Sequence, residues 1–314
     1  MLRVTFLGTA AARPTVGRNV SGLTVQREGA LLLFDCGEGT QRQMMRFQTG
    51  FAVDDIFITH THADHFLGLP GLLRTMGLQG RTEPLGLWGP PRSARVLERA
   101  VRLGVERVPF EVRVSEVSPG DRISRSGWRI EVFAVTHGVK AVGYALQEED
   151  RLGRFDVERA RALGVPEGPA FGRLHRGETV EASDGTPVGP DQVVGPSRPG
   201  RRLVYTGDTR PCASVMEAAE DADLLIHDAT FLTEDGDRAR DTGHSTAAEA
   251  AEVARRSGVR QLALTHLSAR YAEVPHLLLA EARTEFDAVV VARDGMVIEV
   301  PFREGGGEGG GGEA

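Results

Sequence analysis

Short apolar runs rich in valine, leucine, isoleucine and phenylalanine recur along this chain, separated by breaks that carry glycine, proline and aspartate. Runs of that length and composition predict strands near 2–8, 21–26, 30–35, 55–59, 85–88, 110–117, 128–136, 141–147, 202–206, 223–227, 260–264, 288–292 and 296–300. Longer stretches with helical spacing predict helices near 40–48, 66–79, 91–103, 211–220, 246–257 and 274–285. Hairpin-like strands dominate the first half and strand–helix units the second. An α/β sandwich of two mixed sheets with helices outside (αββα) satisfies both patterns.

Two segments break the order. From Asp150 to Asp191 the chain carries Gly164-Val165-Pro166-Glu167-Gly168-Pro169, further glycines and no sustained period, which predicts a flexible arm protruding from the core. Residues 305–314 are nearly all glycine and glutamate and predict a disordered tail. The expected organisation is one domain over 1–304, with the arm at 150–191 inside it, followed by the tail.

Composition narrows the class. A chain of 314 residues and 33.8 kDa, 40% hydrophobic, can bury a large core. It has no apolar run of about 18 residues, the length a membrane span needs. The chain enters a strand at Leu2 without a charged and then apolar leader, so a cytoplasmic location is expected. Cys36 and Cys212 are far apart and lack zinc-ligand spacing, as expected of small buried residues in a reducing compartment. A net charge of -7 argues against a general polyanion binder, although a local basic patch can coexist with it.

The chemistry concentrates in His60-Thr61-His62-Ala63-Asp64-His65, directly after the apolar run Ile56-Phe57-Ile58 and before an apolar helix. A loop at a strand's C-terminal end can aim alternate side chains at one point. His60 and His62 can then share a metal, while Asp64 and His65 turn toward a second one nearby. Imidazole and carboxylate donors suit Zn²⁺, with Mn²⁺ or Fe²⁺ open on ligand type. Two metals need more ligands, and His137, Asp208 and His266 each stand just past an apolar run, as the first motif does. Asp208 is the natural bridge, since a carboxylate can bind two ions at once. In Gly243-His244-Ser245-Thr246-Ala247-Ala248-Glu249, the Thr246-x-x-Glu249 spacing predicts a capping box. His244 then lies beside a helix N-terminus that also favours phosphate, where it could protonate a leaving group. His175, His227 and His276, in the arm, inside a strand and in a helix, are read as structural.

These residues resemble a known family. The metal motif alone is similar to the metallo-β-lactamase fold at large. Asp35-Cys36-Gly37-Glu38-Gly39-Thr40-Gln41, Thr206-Gly207-Asp208-Thr209-Arg210-Pro211, Gly243-His244-Ser245-Thr246 and Thr265-His266-Leu267-Ser268-Ala269-Arg270-Tyr271 resemble ribonuclease Z within it. The resemblance runs from Phe6 to Tyr271. It implies a zinc-dependent endoribonuclease that removes 3′ trailers from precursor tRNA. It further implies two Zn²⁺ per subunit, one on His60, His62, His137 and Asp208, the other on Asp64, His65, His266 and the same Asp208. The arm would be the family's exosite, which grips the tRNA elbow in a homodimer. Between Asp150 and Asp184 the arm holds arginines 151, 154, 159, 161, 173 and 176 among acids 150, 156, 158, 167, 178, 181 and 184, so individual arginines and glycine backbone, rather than net charge, would make the phosphate contacts.

The chain departs from the family pattern at two places. Val16, in Pro14-Thr15-Val16-Gly17-Arg18-Asn19, stands where the family has lysine, in a loop tied to discrimination against tRNAs that already carry CCA. Asp228 stands where many members have glutamate. The implied mechanism has water, activated between the metals, attack phosphorus while Asp64 orients it or takes its proton; His244, aided by Asp228, protonates the departing 3′ oxygen. The tRNA then ends in a 3′-OH and the trailer in a 5′-phosphate. Two other readings compete: a small-molecule phosphodiesterase or ester hydrolase of the same fold, and a metal-stabilised RNA-binding protein without catalysis.

Overall fold

The computed structural model describes residues 1–104 and 108–303, so the tail expected over 305–314 lies outside the described residues. Two compact units are present. The larger comprises Met1–Gln147 and Arg202–Pro301, the smaller Glu148–Arg201 together with Phe302 and Arg303.

In chain order the larger unit opens with β1 (Leu2–Gly8), β2 (Gly22–Arg27), β3 (Ala30–Phe34), α1 (Thr40–Arg46), β4 (Asp55–Phe57), α2 (Ala63–Phe66), α3 (Leu69–Leu78), β5 (Leu85–Gly89), α4 (Ala94–Arg102) and β6 (Val112–Glu116). It continues with β7 (Arg122–Arg125), β8 (Trp128–Ala134) and β9 (Val142–Glu148). The smaller unit holds α5 (Val157–Ala162), α6 (Pro169–His175), β10 (Val180–Glu181) and β11 (Pro187–Val188). The larger unit resumes with β12 (Arg202–Tyr205), α7 (Ala213–Ala218), β13 (Leu224–Asp228), α8 (Gly236–Thr242), α9 (Ala247–Arg256), β14 (Leu262–Thr265), α10 (Pro275–Ala282), β15 (Val289–Val291) and β16 (Val297–Glu299).

Two seven-stranded mixed sheets result, ordered β16-β1-β2-β3-β4-β5-β6 and β15-β14-β13-β12-β9-β8-β7. Alternation along single strands shows why both faces are covered. Leu32 and Phe34 join a core shared with Tyr144, Tyr205 and Ile226 of the other sheet, while Leu31 and Leu33 pack with Met44, Leu69, Leu72 and Leu97 on the helix side. In the second sheet Leu224 and Ile226 face that shared core, and Leu225 packs with Ala250, Val253 and Leu278. Strands buried on both faces read as continuous apolar runs, which is why the sequence exposes them so clearly. Aromatic rings tie the two sheets together: Phe34 and Phe57, register partners in one sheet with centroids 5.1 Å apart, lie 5.9 and 5.2 Å from Tyr144 of the other.

Three elements of the larger unit differ from the sequence expectation, and none of the smaller unit's two helices and two strands was expected. The helix expected over 66–79 begins only at Leu69, after an unexpected short helix over Ala63–Phe66 and a break at Leu67-Gly68, where Gly68 packs so closely that a Cβ would stand 2.1 Å from the Gly37 carbonyl oxygen. Strand β7 has only Ile123 buried and carries no apolar run, and α8 buries only Ala239. Their place is set by tertiary contacts that periodicity does not report.

The smaller unit has an apolar core of its own, including Ala160, Val165, Leu174, Val180, Val188 and Val193. Its neck is closed by a buried fork in which Arg201 donates to Glu148 at 2.7 and 2.9 Å. The Phe302 ring stacks there under two guanidinium groups, Arg151 at 3.5 Å and Arg201 at 3.9 Å. Arg161 pairs with Glu158 and Glu167, and Arg173 with Glu178, so several of the segment's charges are matched within it. Among the described residues no helix is long and apolar enough to cross a membrane.

Candidate metal centre

The functional side chains come from the loops at strand C-termini, where an open α/β sheet leaves backbone ends and side chains convergent. Asp35 follows β3, His60 to His65 follow β4, and His137 follows β8. Asp208 follows β12, Asp228 ends β13, and His266 follows β14 with φ 59°. Gly207, immediately before Asp208, has φ 60°, and a Cβ there would meet Thr59 at 2.7 Å; this close approach requires glycine.

All seven residues expected as ligands meet around Asp208. His60, His62, His137 and Asp208 form one cluster, and Asp64, His65 and His266 another. In the first, His62 Nδ1 lies 2.9 Å from His60 Nε2 and 3.3 Å from His137 Nε2, with Asp208 Oδ2 3.5 Å from His60 Nε2 and 3.9 Å from His137 Nε2. In the second, Asp64 Oδ2 is 3.5 Å from His65 Nε2 and 3.4 Å from His266 Nε2. Asp208 reaches this set with both oxygens, Oδ2 to His65 Nε2 and Oδ1 to His266 Nε2, each at 3.3 Å.

These separations fit bound metal. A tetrahedron with metal–nitrogen bonds of about 2.0–2.1 Å has edges of about 3.3–3.4 Å. Asp208 Oδ1 is buried without a hydrogen-bond donor, as a lone pair kept for an ion would be. The outer nitrogens agree: His65 Nδ1 meets Asp35 Oδ2 at 2.8 Å, His137 Nδ1 the Gly243 carbonyl at 3.0 Å, and His266 Nδ1 the Thr230 hydroxyl at 3.0 Å. Each of these contacts accommodates an N–H at Nδ1 and directs Nε2 at the cluster.

Electrostatics reflect the crowding. Burial would raise the Asp64 carboxyl, but His266 and His65 outweigh it and hold it well below the usual carboxylate range. Burial would likewise raise Asp208, and His266, His65 and His60 reverse it in the same direction. Burial and the charge of His65 push His60 well below its ordinary value. His65 is driven well above its own, because Asp208 and Asp35 overcome its burial.

His244 stands at the edge of this cluster, its ring 5.1 Å from those of both His137 and His266. The capping box expected after it is present, with Thr246 and Glu249 satisfying each other's backbone N–H. Asp228 reaches His244 despite its shorter side chain, with Oδ2 2.8 Å from Nδ1. Burial lowers His244, but Asp228 more than compensates and pushes it up to about 9. Its Nε2 makes no hydrogen bond among the described residues. Val16 is fully exposed, and the loop that carries it sends the Ala12 N–H to Asp64 Oδ2 at 2.8 Å.

Three histidines fall outside the cluster, as read from the sequence. His175 Nε2 meets the Gly153 carbonyl at 2.9 Å, His227 Nδ1 meets the Asp228 carbonyl at 2.8 Å, and His276 lies on α10. Sequence reasoning assigned no role to Asp35, Thr59, Tyr205 or Thr230. Asp35, fully buried with φ 53°, accepts from the Thr59 N–H and hydroxyl, the Tyr205 hydroxyl at 2.7 Å and His65. An aspartate closing an apolar strand was the available signal. Asp35→Asn is expected to weaken divalent-metal affinity by about 10–100-fold, the usual effect of losing the partner that orients a ligating histidine. Competition titration against a chromogenic chelator measures it; unchanged affinity would remove Asp35 from the ligand support.

The profile of the beta-lactamase superfamily domain matches residues 31–156 and 182–267. A protein of Myxococcus xanthus named Ribonuclease Z is 55% identical over 305 residues, 97% of this chain and 99% of that protein. The chain belongs to the ribonuclease Z family. Ribonuclease Z of Haloferax volcanii is 54% identical over 310 residues, 98% of each chain. Among solved structures, the short form of human tRNase Z superposes with a TM-score of 0.69 at 28% identity, covering 96% of this chain and all of that one. A diphosphatase of the PhnP family is similar in fold, with a TM-score of 0.64 at 20% identity over 96% of this chain and 99% of its own.

Proposed function

We propose that this chain is the endoribonuclease of tRNA 3′ processing, a phosphodiester hydrolase that separates the 3′ trailer from precursor tRNA. Its family membership supports the substrate. The observation that carries the reaction type is the convergence of six donor side chains on Asp208, with spacings that suit two metal ions.

The site residues take the following roles. His60, His62, His137 and Asp208 would hold one divalent cation, and Asp64, His65, His266 and Asp208 the other, with zinc favoured by the imidazole-rich set. Bound there, the cations acidify water and offset negative charge developing on the phosphoryl oxygens. Asp64, steadied by the Ala12 N–H, orients the attacking water or takes its proton. The water oxygen forms a bond to phosphorus as the bond to the 3′ oxygen of the tRNA breaks. His244, held through Nδ1 by Asp228, donates a proton from Nε2 to that oxygen. The products are a tRNA with a 3′-OH and a trailer with a 5′-phosphate.

The smaller unit serves as the exosite of the 1–304 domain. Its glycine backbone and individual arginines would grip the tRNA elbow in a cytoplasmic homodimer. Gly153 and Gly195 lie side by side at its neck, a Cβ on the first standing 1.7 Å from the second's carbonyl oxygen, so residues 154–194 can be excised and the ends joined. The truncated enzyme is expected to show a KM for precursor tRNA raised about 10²-fold, the loss of two charge-assisted contacts at about 1.5 kcal/mol each. Hydrolysis of bis(p-nitrophenyl) phosphate should change little. Equal loss on both substrates would favour a small-molecule esterase whose fold needs the segment.

A further inference from the structure

Arg210 sits where three parts of the site meet, and nothing in the reaction scheme above uses it. It stands two residues after Asp208, and its backbone N–H donates to the carbonyl of Thr136 at 2.7 Å, the residue before His137. Thr136 in turn donates its N–H to the Thr209 hydroxyl at 3.1 Å. The main chain at Arg210, two residues after Asp208, is therefore locked to the residue that precedes His137. Its side chain runs the other way: Nη1 donates to the His244 carbonyl at 2.7 Å and to Glu249 Oε2 at 2.7 Å, and Nη2 to Glu249 Oε1 at 2.5 Å.

Glu249 is itself fixed. Its Oε2 also accepts the Thr246 N–H at 2.9 Å, closing the capping box at the start of α9. The guanidinium is thus a planar fork set on an immobile carboxylate, with one further N–H aimed at the backbone of the proton donor. The His244 loop, with Gly243 in the left-handed region at φ 74°, is held by the His244 N–H on the Ala239 carbonyl at 2.9 Å and by the Ser245 hydroxyl on the Thr209 carbonyl at 2.6 Å, and Arg210 adds a tie to the His244 carbonyl itself. Asp228 fixes the His244 ring at one atom, Nδ1, which leaves the ring free to swing about that contact unless its backbone is also held.

We infer that Arg210 is a positioning residue for proton donation: it fixes the His244 backbone relative to Asp208 and His137, so that Nε2 meets the departing 3′ oxygen. The inference rests on the reading of His244 as the acid. On this reading Arg210 acts through His244 and not on the reacting atoms themselves. Its effect on the reaction is carried wholly by the geometry of His244, and it therefore matters most when the leaving group needs a proton.

The test compares Arg210→Met, His244→Ala and the double variant on two substrates, precursor tRNA with its poorly leaving 3′ alkoxide and bis(p-nitrophenyl) phosphate with its activated phenolate. Arg210→Met is expected to lower kcat on precursor tRNA by about 10–10²-fold, up to the lower range of a lost general acid, with KM within about threefold and a much smaller loss on the activated diester. In the His244→Ala background the Arg210 change should cost nothing further. Equal losses on both substrates, full additivity with His244→Ala, or unimpaired tRNA cleavage would each overturn the inference. If His244→Ala itself shows no leaving-group dependence, the assignment of the acid fails first, a distinguishable outcome. Should Arg210→Met fold poorly because Glu249 is left unpaired, Glu249→Gln weakens the fork while keeping the capping box, and must show the same substrate-selective loss.

Discussion

His65→Ala is expected to abolish cleavage of precursor tRNA while the protein remains folded. His65 is completely buried, with Nε2 3.3 Å from Asp208 and 3.5 Å from Asp64, and Nδ1 on Asp35. Removing it opens one ligand set beside the shared carboxylate, which weakens metal binding and displaces Asp64. Lewis-acid assistance is worth several kcal/mol, so kcat/KM should fall by about 10³-fold or more. The core survives because the excised ring contacts polar partners, and Asp35 keeps its bonds to Thr59 and Tyr205. Metal content, circular dichroism and single-turnover rates on one preparation check this. A folded, metal-loaded and fully active His65→Ala protein would refute the ligand assignment.

His244→Ala should lower kcat on precursor tRNA by about 10²–10³-fold, within the range for a lost general acid, and leave KM nearly unchanged. Metal content should not fall, because Asp208 and the six donors around it are complete without His244. The loss should shrink sharply on bis(p-nitrophenyl) phosphate, whose leaving group departs without a proton. A loss of the same size on both substrates, or a drop in metal content that accounts for it, would assign His244 to metal binding instead; the cluster of Asp208, Asp228, His244 and His266 makes that a real alternative to exclude.

Much of the site was legible because its residues sit at strand ends, and strands buried on both faces announce themselves as apolar runs. His60 to His65 follow Ile56-Phe57-Ile58, Asp208 follows Leu203-Val204-Tyr205, and His266 follows Leu262-Ala263-Leu264. What stayed hidden was support across long sequence separations. Asp35 holds His65 and is itself held by Tyr205, and Arg210 holds His244 and Glu249; neither pairing leaves a local period or spacing to read. The same limit explains the fold differences. Strand β7 and helix α8 each bury a single apolar residue and depend on neighbours for their place. The segment from Asp150 to Asp191 lacks a sustained period because its helices are only six and seven residues long, yet its scattered Ala160, Val165, Leu174 and Val180 close a small core.

The central claim is that water, rather than the substrate's own 2′-hydroxyl, attacks the phosphorus at this site. End mapping tests it most directly: a precursor tRNA labelled on either side of the scissile bond is cleaved by the metal-loaded enzyme, and both new termini are identified by mass. A 3′-hydroxyl on the tRNA and a 5′-phosphate on the trailer are the expected result, and a 2′,3′-cyclic phosphate on the tRNA would contradict the account.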